Sequence, residues 1–188
     1  MKRIWGRNGV SGEKKARRQG ESVKYTEKQL QHIDKDSGFS VKHDQIHYGY
    51  KSHIKIDVDH HLIRDLEVTP ANLHDGDVDL VEEGDQVVYR DKGYFGKHLR
   101  VSGVADKTMK RAVRGRKLNG GEQKRNKAIS RVRAPGERPF SVIKRVFHGD
   151  RTAVKTLERV RVKEMFKCFA YDLYQLVTLD RKRLAVAM

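Results

Sequence analysis

Gln86-Val87-Val88-Tyr89-Arg90-Asp91-Lys92-Gly93-Tyr94-Phe95-Gly96 is the stretch on which the fold turns. Its first five residues are rich in β-formers and show little alternation, the pattern of a strand buried on both faces in the middle of a mixed sheet. A carboxylate, Asp91, follows at the strand's C-terminal end. Gly93 and Gly96 then suit a tight turn, with a helix expected from about Gly96 to Val101. A carboxylate at the end of a buried strand either caps the next turn or contributes to a divalent-cation site, because hard Mg²⁺ takes oxygen ligands from a few carboxylates and substrate phosphate.

Upstream, Tyr48, Tyr50, Ile54, Ile56 and Val58 fall on one face of an alternating run from His47 to Val58, a half-buried strand. Asp59-His60-His61 reads as a turn, and Leu62 to Thr69 as the return strand, ended by Pro70. Asn72 to Asp75 offer caps for a short helix around Asp77 to Glu82. Residues 1–40 are polar and basic with scattered glycines and no sustained apolar period, so they are expected to be mostly irregular, with Lys14, Lys15, Arg17 and Arg18 forming a basic arm.

Downstream lies the densest charge. Between Lys107 and Arg145, fourteen cations are opposed only by Glu122 and Glu137. Glu122 to Phe147 is expected to be helical with a break near Pro135-Gly136 and with Pro139 opening the second half. Lys163 to Leu179 is the plainest helix. Phe166, Phe169, Ala170, Leu173, Leu176 and Val177 recur at helical spacing, and this face is assigned to the core. Glu137, nearly alone among cations, is either a neutralising partner of Arg133 or Arg138 or a metal ligand beside a phosphate-binding surface.

Composition narrows the partner. The 188 residues carry a formal net charge of +16, with 37% hydrophobic and 35% charged residues. Like charges repel in a compact state, so such an excess points to a polyanion. No apolar run approaches the ~20 residues that span a bilayer, and Met1-Lys2-Arg3 does not lead into the apolar core of a signal peptide. Nucleic acid is the favoured partner, and a cytoplasmic, nucleoid-associated location is expected. Cys168 is the single cysteine and sits in an apolar helix, which makes it a small buried hydrophobe. No HExxH motif occurs.

Taken together and in order, these segments resemble the insertion-sequence DDE transposases. Tyr48-Gly49-Tyr50-Lys51-Ser52-His53-Ile54, Leu62-Ile63 and Val68-Thr69-Pro70-Ala71-Asn72-Leu73-His74-Asp75 are similar to that family's central strands. Tyr89-Arg90-Asp91-Lys92-Gly93-Tyr94 resembles the strand end bearing its second catalytic aspartate. Arg133, Glu137 and Lys144 have the spacing of its arginine-glutamate-lysine signature, with Ser130 standing where the family has tyrosine. The closing stretch, Asp172 to Leu176 included, resembles the family's C-terminal helix. The family's first aspartate lies on an earlier strand, and no aspartate occurs in residues 1–20.

The resemblance implies an α/β, ribonuclease H-like mixed sheet flanked by helices, incomplete here at its first strand. It would span residues 41–180, with residues 181–188 as a tail. It implies DNA-mediated transposition with two Mg²⁺ ions (Mn²⁺ as a substitute), water as the first nucleophile and the freed 3′-hydroxyl as the second. Asp91 and Glu137 are then the catalytic metal ligands. Arg133, Arg138 and Lys144 hold phosphates near the site, and the stretch through Lys124, Arg125, Lys127 and Arg131 tracks the backbone of double-stranded DNA, both element ends and target. The first aspartate would come from upstream sequence or a partner chain, self-association is expected, and the chain alone is expected to be inactive or weak. The competing readings are a non-catalytic DNA-binding remnant, an RNA-binding protein, and a hydrolytic nuclease of the same fold.

Overall fold

The computed structural model describes residues 26–42, 45–149 and 151–187. The basic cluster at Lys14 to Arg18 therefore lies outside the described residues. A short helix α1 (Glu27–His32) precedes an antiparallel meander of β1 (Gly38–Lys42), β2 (Gln45–Ile56) and β3 (Ile63–Pro70), in spatial order β1-β2-β3. A second sheet holds β4 (Val87–Arg90) and β5 (Ala105–Thr108), which run parallel. The helices α2 (Gly120–Arg133), α3 (Arg138–Arg145) and α4 (Leu157–Ala187) complete the chain. This is an α/β architecture with antiparallel and parallel strands, compatible with a ribonuclease H-like fold.

The β2–β3 hairpin forms where alternation and turn chemistry expected it. Its register sets Tyr50 opposite Pro70 and Ile54 opposite Leu66. Asp57 organises the turn: its carboxylate accepts from the His60 and His61 backbone N–H groups at 2.6 and 3.1 Å and from Arg64 Nε at 3.0 Å. These bonds let His61 hold a left-handed φ of 59°. Burial pushes the Asp57 pKa up, but the His60 N–H and the Arg64 guanidinium outweigh it and hold the carboxyl below its ordinary value.

Helix α4 packs across β3 and grips that same turn. Tyr171 donates from its hydroxyl to the His61 carbonyl at 3.1 Å, Gln175 Nε2 donates to the His60 carbonyl at 2.8 Å, and Asp172 Oδ1 accepts from Ile63 N at 2.8 Å. Val160, Cys168 and Tyr171 are buried on this face, as expected for Cys168. The face assigned to the core from sequence is the wrong one. Phe166, Phe169, Leu173, Leu176 and Val177 are 64, 60, 50, 49 and 51% exposed. The packed face carries Glu164, Lys167, Asp172 and Gln175 among its apolar residues. Partners meet most of these polar groups: Ser52 Oγ donates to Glu164 at 3.2 Å, and Lys167 bridges Glu164 and the Gly149 carbonyl, while Gln175 Oε1 is buried without a partner among the described residues.

Other expectations are also corrected. No helix forms from Val78 to Glu82, and a single 3-10 turn, Asp75–Asp77, lies just before that stretch. No helix forms from Gly96 to Val101, and a 3-10 turn lies earlier, at Lys92–Tyr94. In both stretches Asp79 takes a backbone donor, its carboxylate accepting from Val81 N and Arg100 N at 3.2 Å each. The first is a local side-chain bond of the kind that competes with helical bonding, and the second joins the two loops. Among the described residues β4 pairs only with β5, and Val87 is 36% exposed, so it is not a strand buried on both faces. Helix α4 runs on through the expected tail to Ala187. The break in the basic helix falls where expected, as a 3-10 turn at Ala134–Glu137.

Candidate metal centre and DNA interface

Asp91 stands at the carboxyl end of β4 and is the N-cap of the Lys92–Tyr94 turn, its side chain accepting from Lys92 N at 2.5 Å. The strand end is rigid because of its neighbour, Arg90, which is 7% exposed. Arg90 bonds Asp106 at 2.6 Å, Thr108 Oγ1 at 2.9 Å and the Lys97 carbonyl at 2.9 Å, and lies 5.5 Å from the centre of the Tyr94 ring. One guanidinium thus ties the ends of β4 and β5 to the loop after Asp91. Sequence reasoning passed over this residue. Its signal was a lone charge inside a β-run, which demands a buried partner.

The second carboxylate arrives on the helical layer. Helix α2 opens at a capping box, Asn119 accepting from Glu122 N at 2.8 Å while Glu122 accepts from Asn119 N at 3.1 Å. Asn126 then fastens the helix beside β5, accepting from Lys110 N at 2.8 Å and donating to the Lys110 carbonyl at 2.9 Å. Arg133 closes the helix, with its NH1 3.9 Å from Asp91 Oδ1. Glu137 ends the following 3-10 turn and is exposed. That turn packs over the end of β2: a Cβ added at Gly136 would sit 3.9 Å from Ile56 Cδ1. The structure therefore brings Arg133 to Asp91 and puts Glu137 one turn further on. A bridge from Glu137 to Arg133 or Arg138 is not seen, Arg133 being turned toward Asp91.

The cations fall into two groups. Lys124, Lys127 and Arg131 are exposed along the side of α2 away from the buried Asn126 and Ile129, with Ser130 exposed among them. Arg125 is drawn inward and donates to the Thr108 carbonyl at 2.8 Å. Lys144, on α3, lines a different space: a cavity of about 250 Å³ shared with Ser52, Ile54, Ile143, Glu164 and Cys168. Arg138 opens α3 and is half-buried. No group of three or more His, Cys, Asp or Glu side chains is gathered for a metal among the described residues.

Comparison with known proteins gives the class to which this α/β chain belongs, the DDE transposases. The family described as "Transposase DDE domain" matches residues 14–173, and the chain belongs to it. It is 31% identical over 148 residues to the transposase for insertion sequence element IS1106 of Neisseria meningitidis serogroup B, covering 74% of this chain and 51% of that protein. The chain thus spans about half the length of this curated relative. No solved structure matches it significantly. No helix among the described residues is long and apolar enough to cross a membrane.

Proposed function

We propose that this chain is the catalytic, ribonuclease H-like part of an insertion-sequence transposase, acting on double-stranded DNA in the nucleoid. The observation that carries the reading is Asp91 at the end of a parallel strand with Arg133 reaching toward it, in a chain matched by the DDE domain over most of its length. Asp91 and Glu137 are hard oxygen donors, and Mg²⁺ is commonly held by one or two carboxylates plus substrate phosphate. Bound there, Mg²⁺ or Mn²⁺ would polarise the reacting phosphate and favour ionisation of the attacking hydroxyl. Arg133 and Arg138 neutralise phosphate charge beside the carboxylates, Lys144 does so further along α3, and Lys124, Lys127 and Arg131 follow the DNA backbone. No residue of the described chain is assigned as the first aspartate of the family's set.

The test is plasmid nicking in Mg²⁺ by this chain with and without a co-expressed upstream strand carrying an aspartate. The expected result is background activity alone and cleavage on complementation. Asp91→Asn or Glu137→Gln should reduce that cleavage by roughly 10²-fold or more, since even indirect partners of metal ligands cost 10–100-fold. Cleavage indifferent to both substitutions would overturn the assignment. Duplex binding that survives both Asp91→Ala and Glu137→Ala, with no complementable cleavage, would establish a non-catalytic DNA-binding remnant instead.

Self-association is the second part of the proposal, and α4 supplies its surface. Val162, Phe166, Phe169, Leu173 and Leu176 follow the alternating four- and three-residue spacing of a coiled-coil seam, and all are exposed. The same spacing continues to Arg159 at one end and Asp180 at the other. An antiparallel second copy sets Arg159 against Asp180 and Phe166 against Leu173. Sedimentation velocity should show a concentration-dependent dimer, disrupted by Phe169→Glu. Asp180→Arg should also disrupt it, and adding Arg159→Asp should restore it. A wild-type chain monomeric throughout, or a dimer indifferent to Phe169→Glu, would rule this seam out.

A further inference from the structure

Beyond the carboxyl ends of β4 and β5 lies a hollow of about 230 Å³, lined by Tyr94, Phe95, His98, Thr108, Lys110 and Arg125 among others. Crevices outside the carboxyl ends of parallel strands are where ligands of α/β sheets collect. We propose that this hollow receives one unpaired nucleotide, its base against Phe95 and its phosphate held by Lys110 and Arg125. The proposal rests on the DNA-binding reading above and assigns it a second contact, distinct from the duplex-tracking face of α2.

Three observations support it. Phe95 is 39% exposed at the wall of the hollow, and Lys110 Nζ lies 6.0 Å from its ring centre. An exposed ring flanked by cations is the arrangement that binds single-stranded nucleic acid, the ring stacking on a base and the cation meeting the backbone. The charge of the lining is net positive. Its one carboxylate, Asp106, is already engaged by Arg90 at 2.6 Å and by Thr108 N at 2.8 Å, and its Oδ1 also accepts from Thr108 Oγ1. Lys97 is tied to Asp77 at 2.7 Å, which leaves Lys110 and Arg125 as the phosphate donors.

The third observation is pre-organisation. Asn126 fixes both backbone groups of Lys110, and one Arg125 nitrogen is fixed on the Thr108 carbonyl, so the Arg125 guanidinium and the backbone from which the Lys110 side chain extends are in place before any ligand arrives. The volume is smaller than the ~300–1,000 Å³ of drug-sized sites and suits one planar ring with its phosphate at the mouth. Phe95 follows Asp91 by four residues across the Lys92–Tyr94 turn. A nucleotide seated here would lie beyond the same strand end that carries Asp91.

The experiment compares two otherwise identical labelled duplexes, one blunt and one ending in a single 3′-overhanging 2-aminopurine nucleotide. The full chain should bind the overhang duplex about 5- to 150-fold more tightly, the range that one base–aromatic stack provides, and should quench the 2-aminopurine emission. Phe95→Ala should reduce the overhang-to-blunt ratio to about one and abolish the quenching, and Phe95→Trp should retain both. Equal wild-type affinity for the two duplexes, or a preference that survives Phe95→Ala, overturns the pocket while leaving duplex binding in place. Binding to neither duplex overturns the DNA-binding reading and the pocket with it.

Discussion

Raising salt from about 50 to about 200 mM should weaken binding to duplex DNA by roughly 10³–10⁵-fold, the range for a protein that neutralises about six to ten phosphates. The cause is counterion release. Each cation that meets a phosphate frees a condensed ion, and the gain shrinks as bulk salt rises. With a formal charge of +16, and with Lys124, Lys127 and Arg131 exposed along α2, this chain has the cations for such a count. Replacing those three with alanine should lower the slope of log affinity against log salt by about 0.9 for each phosphate no longer neutralised. The fold should tolerate the change, since exposed positions away from special interactions usually shift stability by only about 0.5 kcal/mol. Fluorescence anisotropy across a salt series measures the slope directly. A flat salt response would show that the charge serves something other than DNA. A slope unchanged in the triple variant would move the interface off α2. A tighter grip on an RNA competitor of equal length would favour the RNA-binding alternative.

Elements whose signal is local were legible in the sequence. The β2–β3 hairpin followed from alternation and a turn at Asp59-His60-His61, and the break in the basic helix from Pro135-Gly136. The features that were not legible depend on interactions between distant residues. Asp79 accepts from the backbone of Val81 and of Arg100, and one of those is 21 residues away. The buried Arg90 could be recognised as the clamp of the strand end only once Asp106 was known to lie beside it. In the candidate site, Asp91 stood out as a strand-end acid and Glu137 as an acid among cations. Asn126, which seats the basic helix by both backbone groups of Lys110, reads as an ordinary surface polar residue until β5 is in place. The misassigned face of α4 has the same origin. That helix is apolar on two sides, and the side with more polar residues is the buried one because the β2–β3 turn and β2 bond them.

This choice between faces sets up the largest stability effect. Tyr171 is fully buried, at 0% exposure, between α4 and the hairpin turn. Tyr171→Ala should therefore cost about 3–5 kcal/mol, the range for removing a buried aromatic side chain and leaving its cavity. Tyr171→Phe keeps the ring and loses the bond to the His61 carbonyl, and should cost only about 1 kcal/mol. Phe166→Ala and Phe169→Ala make the contrast, because those rings are 64 and 60% exposed. In a monomer each should fall well below the Tyr171→Ala cost. If the α4 seam joins two copies, their effect should grow with protein concentration, since association stabilises the folded state by mass action, whereas the Tyr171→Ala cost should not. Urea titrations at two concentrations separate the cases. Were Phe166→Ala or Phe169→Ala to cost as much as Tyr171→Ala at the lower concentration, the helix would be seated on its other face. The bonds from Tyr171, Gln175 and Asp172 to the turn would then not be what holds α4 to the sheet.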